Sequence, residues 1–372
     1  MNLLSSFSTI ASYTGYVLLA LLVLLVMITV HEFGHYITGK IFNFKIDEFA
    51  VGFGPKLYSK QKKNGEVFSL RLIPLGGFCA FSGEDQEVQD ENDFNNKPAW
   101  QRIIVLISGA LMNYLLAVVL IALMFGIYGH SALMTYHTDG EIAGFSEEYS
   151  FQDKDIIIKA EGKNVYLVTD LMDAIEGKSQ GEIVEFKIVR QGKIQNVKIK
   201  LRADTDFSNV EDFRALYDAL GITYQLNDDG EIASSGLYAT GVRFGFFTTI
   251  GRSFEYSIKL AGTIFKILGQ LLTGALGINA MGGTVTTIST TATAIQVGGF
   301  RNLLNIASFI GVNLAVFNLL PIPALDGARV VFTSIEWVRG KPINRKVEGI
   351  IHMIGLVLLL AFAVFVDLQQ CF

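Results

Sequence analysis

The stretch YVLLALLVLLVMITVHEFGHYITGK, Tyr16–Lys40, decides the fold. From Met1 to Val30 the chain carries no Asp, Glu, Lys, Arg or His, and Tyr16–Val30 is almost wholly Leu, Val, Ile, Met and Ala. With its flanks, this run is long enough to cross a hydrocarbon core of ~30 Å as a helix. His31, Glu32 and His35 then lie inside a membrane-spanning helix. Left unpaired there, two imidazoles and a carboxylate would cost several kcal/mol, so ionisable groups at that depth point to function. Residues four apart share a helix face, so His31 and His35 can offer ring nitrogens to one metal ion with Glu32 beside it. In a soluble helix the same HExxH pattern would often be chance surface polarity. A bound Zn2+ relieves the burial problem that chance polarity leaves unsolved in lipid.

Composition agrees with a membrane protein. Of 372 residues, 51% are apolar and 17% are charged, and the mean hydropathy is positive. The net charge of -5 offers no basic surface, so nucleic acid is not an expected partner. Two cysteines, Cys79 and Cys371, are too few for a disulfide framework or a thiolate zinc site. The first basic residue is Lys40, so the basic head of a cleavable signal peptide is missing and the first span is expected to stay in the mature protein.

Hydrophobic patterning predicts a multi-pass α-helical membrane protein with four transmembrane helices. These are residues 1–39 with HExxH, 103–130, 302–326 and 349–366. Residues 242–275 differ: Arg252, Glu255, Lys259 and Lys266 recur at helical spacing opposite Phe247, Ile250, Phe254, Phe265 and Leu272. That pattern predicts an amphipathic helix along the membrane surface or packed against the spans. Basic residues set the orientation. Lys40–Arg102 holds nine Lys or Arg, and Arg329, Arg339, Lys341, Arg345 and Lys346 cluster before the last span. Both segments are expected on the cytoplasmic side. The N-terminus and the segment after His130 then face outward, and HEFGH sits near the cytoplasmic surface.

Within residues 40–102, EVFSLRL followed by RLIPLGGFCAFSG predicts a membrane-associated β-hairpin made of a strand, a Pro-Gly-Gly turn and a second strand. It is either an ordinary loop hairpin or an exposed edge that pairs with an extended peptide. Residues 136–202 alternate like short strands around one helix and form a separate α+β module. Residues 203–241 are polar and Asp-rich and are expected to be a connector with one helix-like run, NVEDFRALYDAL.

The third span ends NLAVFNLLPIPALDGARVV. Pro321 and Pro323 prevent a regular helix there. Two imidazoles and a carboxylate with an open fourth position make a catalytic zinc arrangement. Asp326 is therefore either the third ligand or a cap in an Asp-Gly turn, and spacing alone does not decide.

These motifs together resemble a bacterial site-2 protease, the intramembrane metalloproteases that include regulators of extracytoplasmic sigma factors. HEFGH, VGFGP at Val51–Pro55, LGGFCAFSGED, ISGALMNYLLA and NLLPIPALDG occur in the family's order across nearly the whole chain. The resemblance implies that Asp326 is the third Zn2+ ligand, that Glu32 is the general base, and that the module at 136–202 is similar to a PDZ domain on the extracytoplasmic side. It implies a bacterial inner-membrane endopeptidase acting on single-pass transmembrane proteins or peptides, such as anti-sigma factors or remnant signal peptides. Asn318 and Asn113 are implied to contact substrate, with helix-to-helix hydrogen bonding as the alternative. An unwound strand is expected to be held by Gly76, Gly77 and Phe78 of the hairpin and by Pro321 and Pro323. The rival readings from other classes are a zinc-binding membrane transporter and a non-catalytic PDZ scaffold.

Overall fold

A computed structural model of the chain describes residues 3–84, 90–136, 150–205, 213–227, 232–277 and 282–369. Parts of three expected features lie outside these residues: Gly140 in the module, Asp85 at the end of LGGFCAFSGED, and Asn209–Asp212 of NVEDFRALYDAL. The chain divides into two compact units, Met1–Leu123 with Ser253–Phe372, and Met124–Arg252.

Helices dominate the first unit. α1 spans Leu3–Ile41 and α2 spans Ala99–Tyr128, its last residues passing into the second unit. Among the described residues, four helical segments are long and apolar enough to cross a bilayer: Tyr13–Ile41, Ala99–Tyr128, Val285–Asn318 and Arg345–Gln369. The chain is an integral membrane protein with an added β-sheet domain. The expected second span runs long at its end, because His130 already belongs to a strand.

Between α1 and α2, β1 (Ile46–Gln61) and β2 (Val67–Phe81) form an antiparallel hairpin. Its turn is not the Pro-Gly-Gly site. The chain reverses at Asn64-Gly65, where Gly65 has φ 89, and Pro74–Gly77 lies inside a continuous β2. Asn-Gly is the stronger turn signal, because both residues tolerate the positive φ that tight hairpins need. The strands bend so that β1 is flanked twice by β2: Val51 pairs with Gly77 and also with Leu70. Apolar side chains of the distal hairpin, including Leu57, Tyr58, Leu72 and Ile73, are exposed. At its base, Phe44, Ile46 and Phe81 pack with Phe94, Val105 and Leu106.

The second unit holds β3 (His130–Thr135), β4 (Ile156–Ala160), β5 (Lys163–Asn164), α3 (Val168–Ile175), β6 (Ile183–Arg190), β7 (Lys193–Lys200), α4 (Phe213–Leu220), β8 (Tyr224–Leu226), β9 (Ile232–Ser235) and β10 (Leu237–Val242). Its main sheet runs β10-β3-β4-β6-β7, with β5 on β4. Residues 203–241 are therefore not a connector. β10 pairs with β3 from Leu237↔Thr135 to Val242↔His130, and Leu216 and Leu220 of α4 enter the same core as Ile157, Leu171 and Phe186. Burying this apolar face outweighs the polar composition of the segment.

α5 (Phe246–Thr273) starts in the second unit and continues into the first. Ser257 Oγ lies 2.8 Å from the Tyr114 hydroxyl, so α5 packs against α2 there. α6 covers Thr284–Asn318 and so begins well before the expected residue 302. It is kinked at Gly299, with φ 56 and ψ -141, and the Asn302 amide donates to the Ala294 carbonyl across the break at 2.9 Å. After seven residues of loop and turn come α7 (Asp326–Arg339) and then α8 (Arg345–Gln369). Asp326 therefore starts a new helix and does not end the third span.

Candidate metal centre

α1 is an uninterrupted helix through HEFGH, so His31 and His35 project one turn apart from the same face. Both are buried, each 7% exposed. Asp326, 295 residues later, enters from the first position of α7. His31 Nε2 is 2.9 Å from Asp326 Oδ2, His35 Nε2 is 3.1 Å from His31 Nε2, and His35 Nε2 is 3.4 Å from Asp326 Oδ2. The ligand atoms of these three residues all lie within 4.8 Å of one another. Zinc bonds of ~2.0–2.1 Å in a tetrahedron separate ligand atoms by about 3.3 Å, so this donor set fits the ion in both spacing and chemistry.

The surroundings fix the donor atoms. His35 Nδ1 donates to the Val105 carbonyl of α2 at 2.8 Å, which leaves Nε2 with its lone pair toward the cluster. His31 Nδ1 is flanked by the carboxamides of Asn113, at 3.5 Å, and Asn318, at 3.4 Å. When Nε2 faces the cluster, Nδ1 carries the proton and needs an acceptor. Asn113 is fully buried and its Oδ1 has no hydrogen-bond partner among the described residues. A half-turn of that carboxamide supplies the acceptor.

Close helix packing makes the cluster possible. A Cβ on Gly109 of α2 would stand 2.8 Å from His31 Cε1 and closer still to His35 Nε2, and one on Gly34 would stand 2.9 Å from Gly109 Cα. Gly327, directly after Asp326, abuts the carbonyls of Leu319 and Leu320, where any Cβ would collide. These contacts were not read from sequence, although a glycine inside an apolar span signals close backbone approach.

Glu32 lies beside the cluster and accepts a hydrogen bond from the Cys79 backbone N–H of β2. A Cβ at Gly77 would lie 3.5 Å from Glu32 Cγ, so the strand edge passes the carboxylate with no side chain between them. A cavity of about 310 Å3 opens here, lined by Ile28, His31, Glu32, Phe53, Gly76, Gly77, Asn113, Leu314, Asn318, Ala324, Leu325 and Asp326. Of the expected substrate residues, Asn113, Asn318, Gly76 and Gly77 line it. Phe78, Pro321 and Pro323 are not among its lining residues. Phe78 stacks on Phe53 with ring centres 6.4 Å apart, beneath the Arg71 guanidinium at 4.9 Å.

Two residues that sequence reasoning left without a role shape the approach to Asp326. Ile322–Leu325 closes a turn, with the Leu325 N–H donating to the Ile322 carbonyl at 3.1 Å. Pro323 takes its second position, and Ala324 its third with φ 82. A type II turn wants glycine at that third position, and a side chain there costs about 1–2 kcal/mol. The Ala324 N–H in turn donates to Nδ1 of His352 on α8 at 3.0 Å.

Comparison with known proteins agrees with this chemistry. The model for "Peptidase family M50" matches residues 19–362. The chain is 30% identical over 362 residues to a Fusobacterium nucleatum protein named "Putative zinc metalloprotease FN1322", covering 95% of this chain and 97% of the relative. A Clostridium perfringens protein of the same description is 30% identical over 369 residues, covering 95% and 98%. The zinc metalloprotease RasP of Bacillus licheniformis is 28% identical over 429 residues, covering 92% and 96%. With a family match that runs nearly from end to end, the chain belongs to peptidase family M50, the site-2 proteases, and is a zinc metalloprotease.

Proposed function

We propose that His31, His35 and Asp326 hold the zinc ion of an intramembrane endopeptidase in which Glu32 is the general base. The observation that carries this reading is the convergence of three ligand atoms within 4.8 Å, with Glu32 at the rim of the same cavity. Bound zinc supplies a positive charge that acidifies water and polarises a neighbouring carbonyl. Glu32 takes a proton from the water that attacks the peptide carbonyl carbon, and delivers it to the amide nitrogen as the C–N bond breaks.

The substrates are transmembrane segments of single-pass membrane proteins, such as anti-sigma factors or remnant signal peptides. A helical segment hides its carbonyls in its own hydrogen bonds, so it unwinds before attack. The extended stretch then pairs with the β2 edge at Gly76–Cys79, where the missing side chain at Gly77 leaves the backbone open next to Glu32 and the Phe53 ring packs against Gly76. Asn318 of α6 lines the same cavity and holds the strand there. The sheet domain, PDZ-like and extracytoplasmic in this reading, filters or docks substrates before they reach the spans. The basic loops before α2 and α8 face the cytoplasm of a bacterial cell and put the centre near that side of the plasma membrane.

The test is Glu32→Gln, which keeps the three ligands. Zinc content is expected to match wild type, while cleavage of a co-expressed single-span substrate falls by about 10²–10⁴-fold. Retained cleavage would remove Glu32 from this role.

A further inference from the structure

We infer that His352, on the membrane-spanning helix α8, is a positioning residue that holds the turn delivering Asp326 to the metal centre. The residue stands out because almost everything else on that helix is apolar. Ile350, Ile354, Leu356, Val357, Leu358, Leu360, Val364 and Leu368 are exposed, while His352 and Gly355, one turn apart, face the Pro321–Leu325 loop.

Three contacts converge there. His352 Nδ1 accepts the Ala324 N–H at 3.0 Å. Gly355 lies so close to Pro323 that a Cβ would come within 2.6 Å of its carbonyl oxygen. The His352 ring also sits against Phe332 of α7, centres 5.7 Å apart. α8 therefore touches the turn at both central residues, Pro323 and Ala324, and touches the helix that the turn launches.

Ala324 needs such a restraint. Its φ of 82 is a left-handed conformation that a residue with a Cβ leaves readily when nothing holds it. Leaving it would swing Leu325 and Asp326, because the turn immediately precedes α7. Nδ1 of His352 is the one acceptor found for the Ala324 N–H among the described residues. No part of the proposed chemistry uses His352, which is neither a proposed ligand nor among the residues lining the cavity beside Glu32. Its consequence for the metal rests on the proposed chelate, whereas its hold on the turn does not.

Full-length protein, purified in detergent and stripped of metal, separates the two. Pro321 and Pro323 have no N–H, so the exchangeable amides of Pro321–Ala324 are those of Ile322 and Ala324. In His352→Ala, deuterium exchange in this segment is expected to quicken at least tenfold, and Co2+ titration followed by its visible absorption should show at least tenfold weaker binding. Asn places its carbonyl oxygen the same number of bonds from Cβ as Nδ1, whereas Gln does not. His352→Asn should therefore restore both readouts and His352→Gln should restore neither, a contrast that a purely space-filling residue would not give and that survives if His352→Ala fails to fold. Unchanged exchange in His352→Ala, or Asn and Gln behaving alike, would overturn the role of His352. Wild-type protein that binds no Co2+ would instead overturn the chelate, and the exchange data alone would then decide the positioning role.

Discussion

The two sides of the proposed metal centre are built in opposite ways. His31 and His35 sit on one unbroken helix whose periodicity brings them together, and their geometry is settled by local hydrogen bonding within α1. Asp326 arrives through a broken helix, two prolines and a left-handed alanine, and its place is settled by contacts made far from itself. The helical side is preorganised by regular structure, so what threatens it is a neighbour coming too close. The turn side is held by distant anchors, so what threatens it is the loss of one of them.

Gly109 tests the helical side and carries the largest expected effect. A methyl there occupies the space of His35 Nε2, the proposed ligand atom. Gly109→Ala should weaken zinc binding by at least ~10–100-fold, the range seen when groups supporting a ligand are disturbed, as read by metal titration of purified protein. Wild-type affinity in this variant would mean that α2 does not set the ring positions.

Glu336 tests the turn side at its far end. Asp326, Arg329, Thr333 and Glu336 lie along one face of α7. Below Asp326 that face is tied to the rest of the unit: Arg329 pairs with Glu84, and Glu336 pairs with Arg102 of α2 at 2.9 Å and with Arg345 at the start of α8 at 2.8 Å. Glu336 and Arg102 are buried, at 5% and 7% exposure, so removing one charge leaves the other stranded. Glu336→Gln should cost about 3–5 kcal/mol, measured by denaturant unfolding in detergent, and should lower zinc retention through α7. Loss of stability with zinc retention unchanged would show that the anchor does not reach Asp326.

Glu66 gives the smallest expected effect, again on the helical side. It folds the hairpin turn back onto the end of α1, accepting from Lys40 at 2.5 Å and from Lys62 at 2.7 Å. Burial alone would raise its carboxyl, but these hydrogen bonds outweigh it and hold the group down at about 2. A carboxylate depressed in the folded state stabilises above its unfolded value of about 4.3, and that contribution fades as pH falls from there toward 2. Glu66→Gln should cost about 1–3 kcal/mol at neutral pH, and the difference from wild type should shrink in thermal melts below about pH 4 and vanish only below about pH 2. A difference that persists in acid would mean that the charge is not what holds the turn.

The same contrast explains what sequence could and could not deliver. α1 and HExxH were readable because helical period and the cost of burying charge both act within a few residues. Asp326 was not separable from a turn cap by spacing, since its partners lie 295 positions away, and family resemblance was needed to choose. Pro74–Gly77 reads as a turn by composition, yet the chain turns at Asn64-Gly65, and the glycines serve instead to bring a bent strand against Glu32. The start of α6 was missed because Thr284–Thr293 is rich in threonine and does not look like a span. Residues 203–241 looked like a linker because their apolar positions are sparse, while β10 finds its partner about a hundred residues upstream in β3. Gly109 and Ala324 lie inside quoted motifs and His352 in none, but what each touches exists only once the helices are packed.

The central claim is that one carboxylate closes the chelate opened by two imidazoles. Zinc stoichiometry of purified wild-type and Asp326→Ala protein, measured by mass spectrometry after dialysis against a weak chelator, tests it directly. The expected result is one zinc per wild-type chain and a marked loss in the variant, and an undiminished zinc content in Asp326→Ala would contradict it.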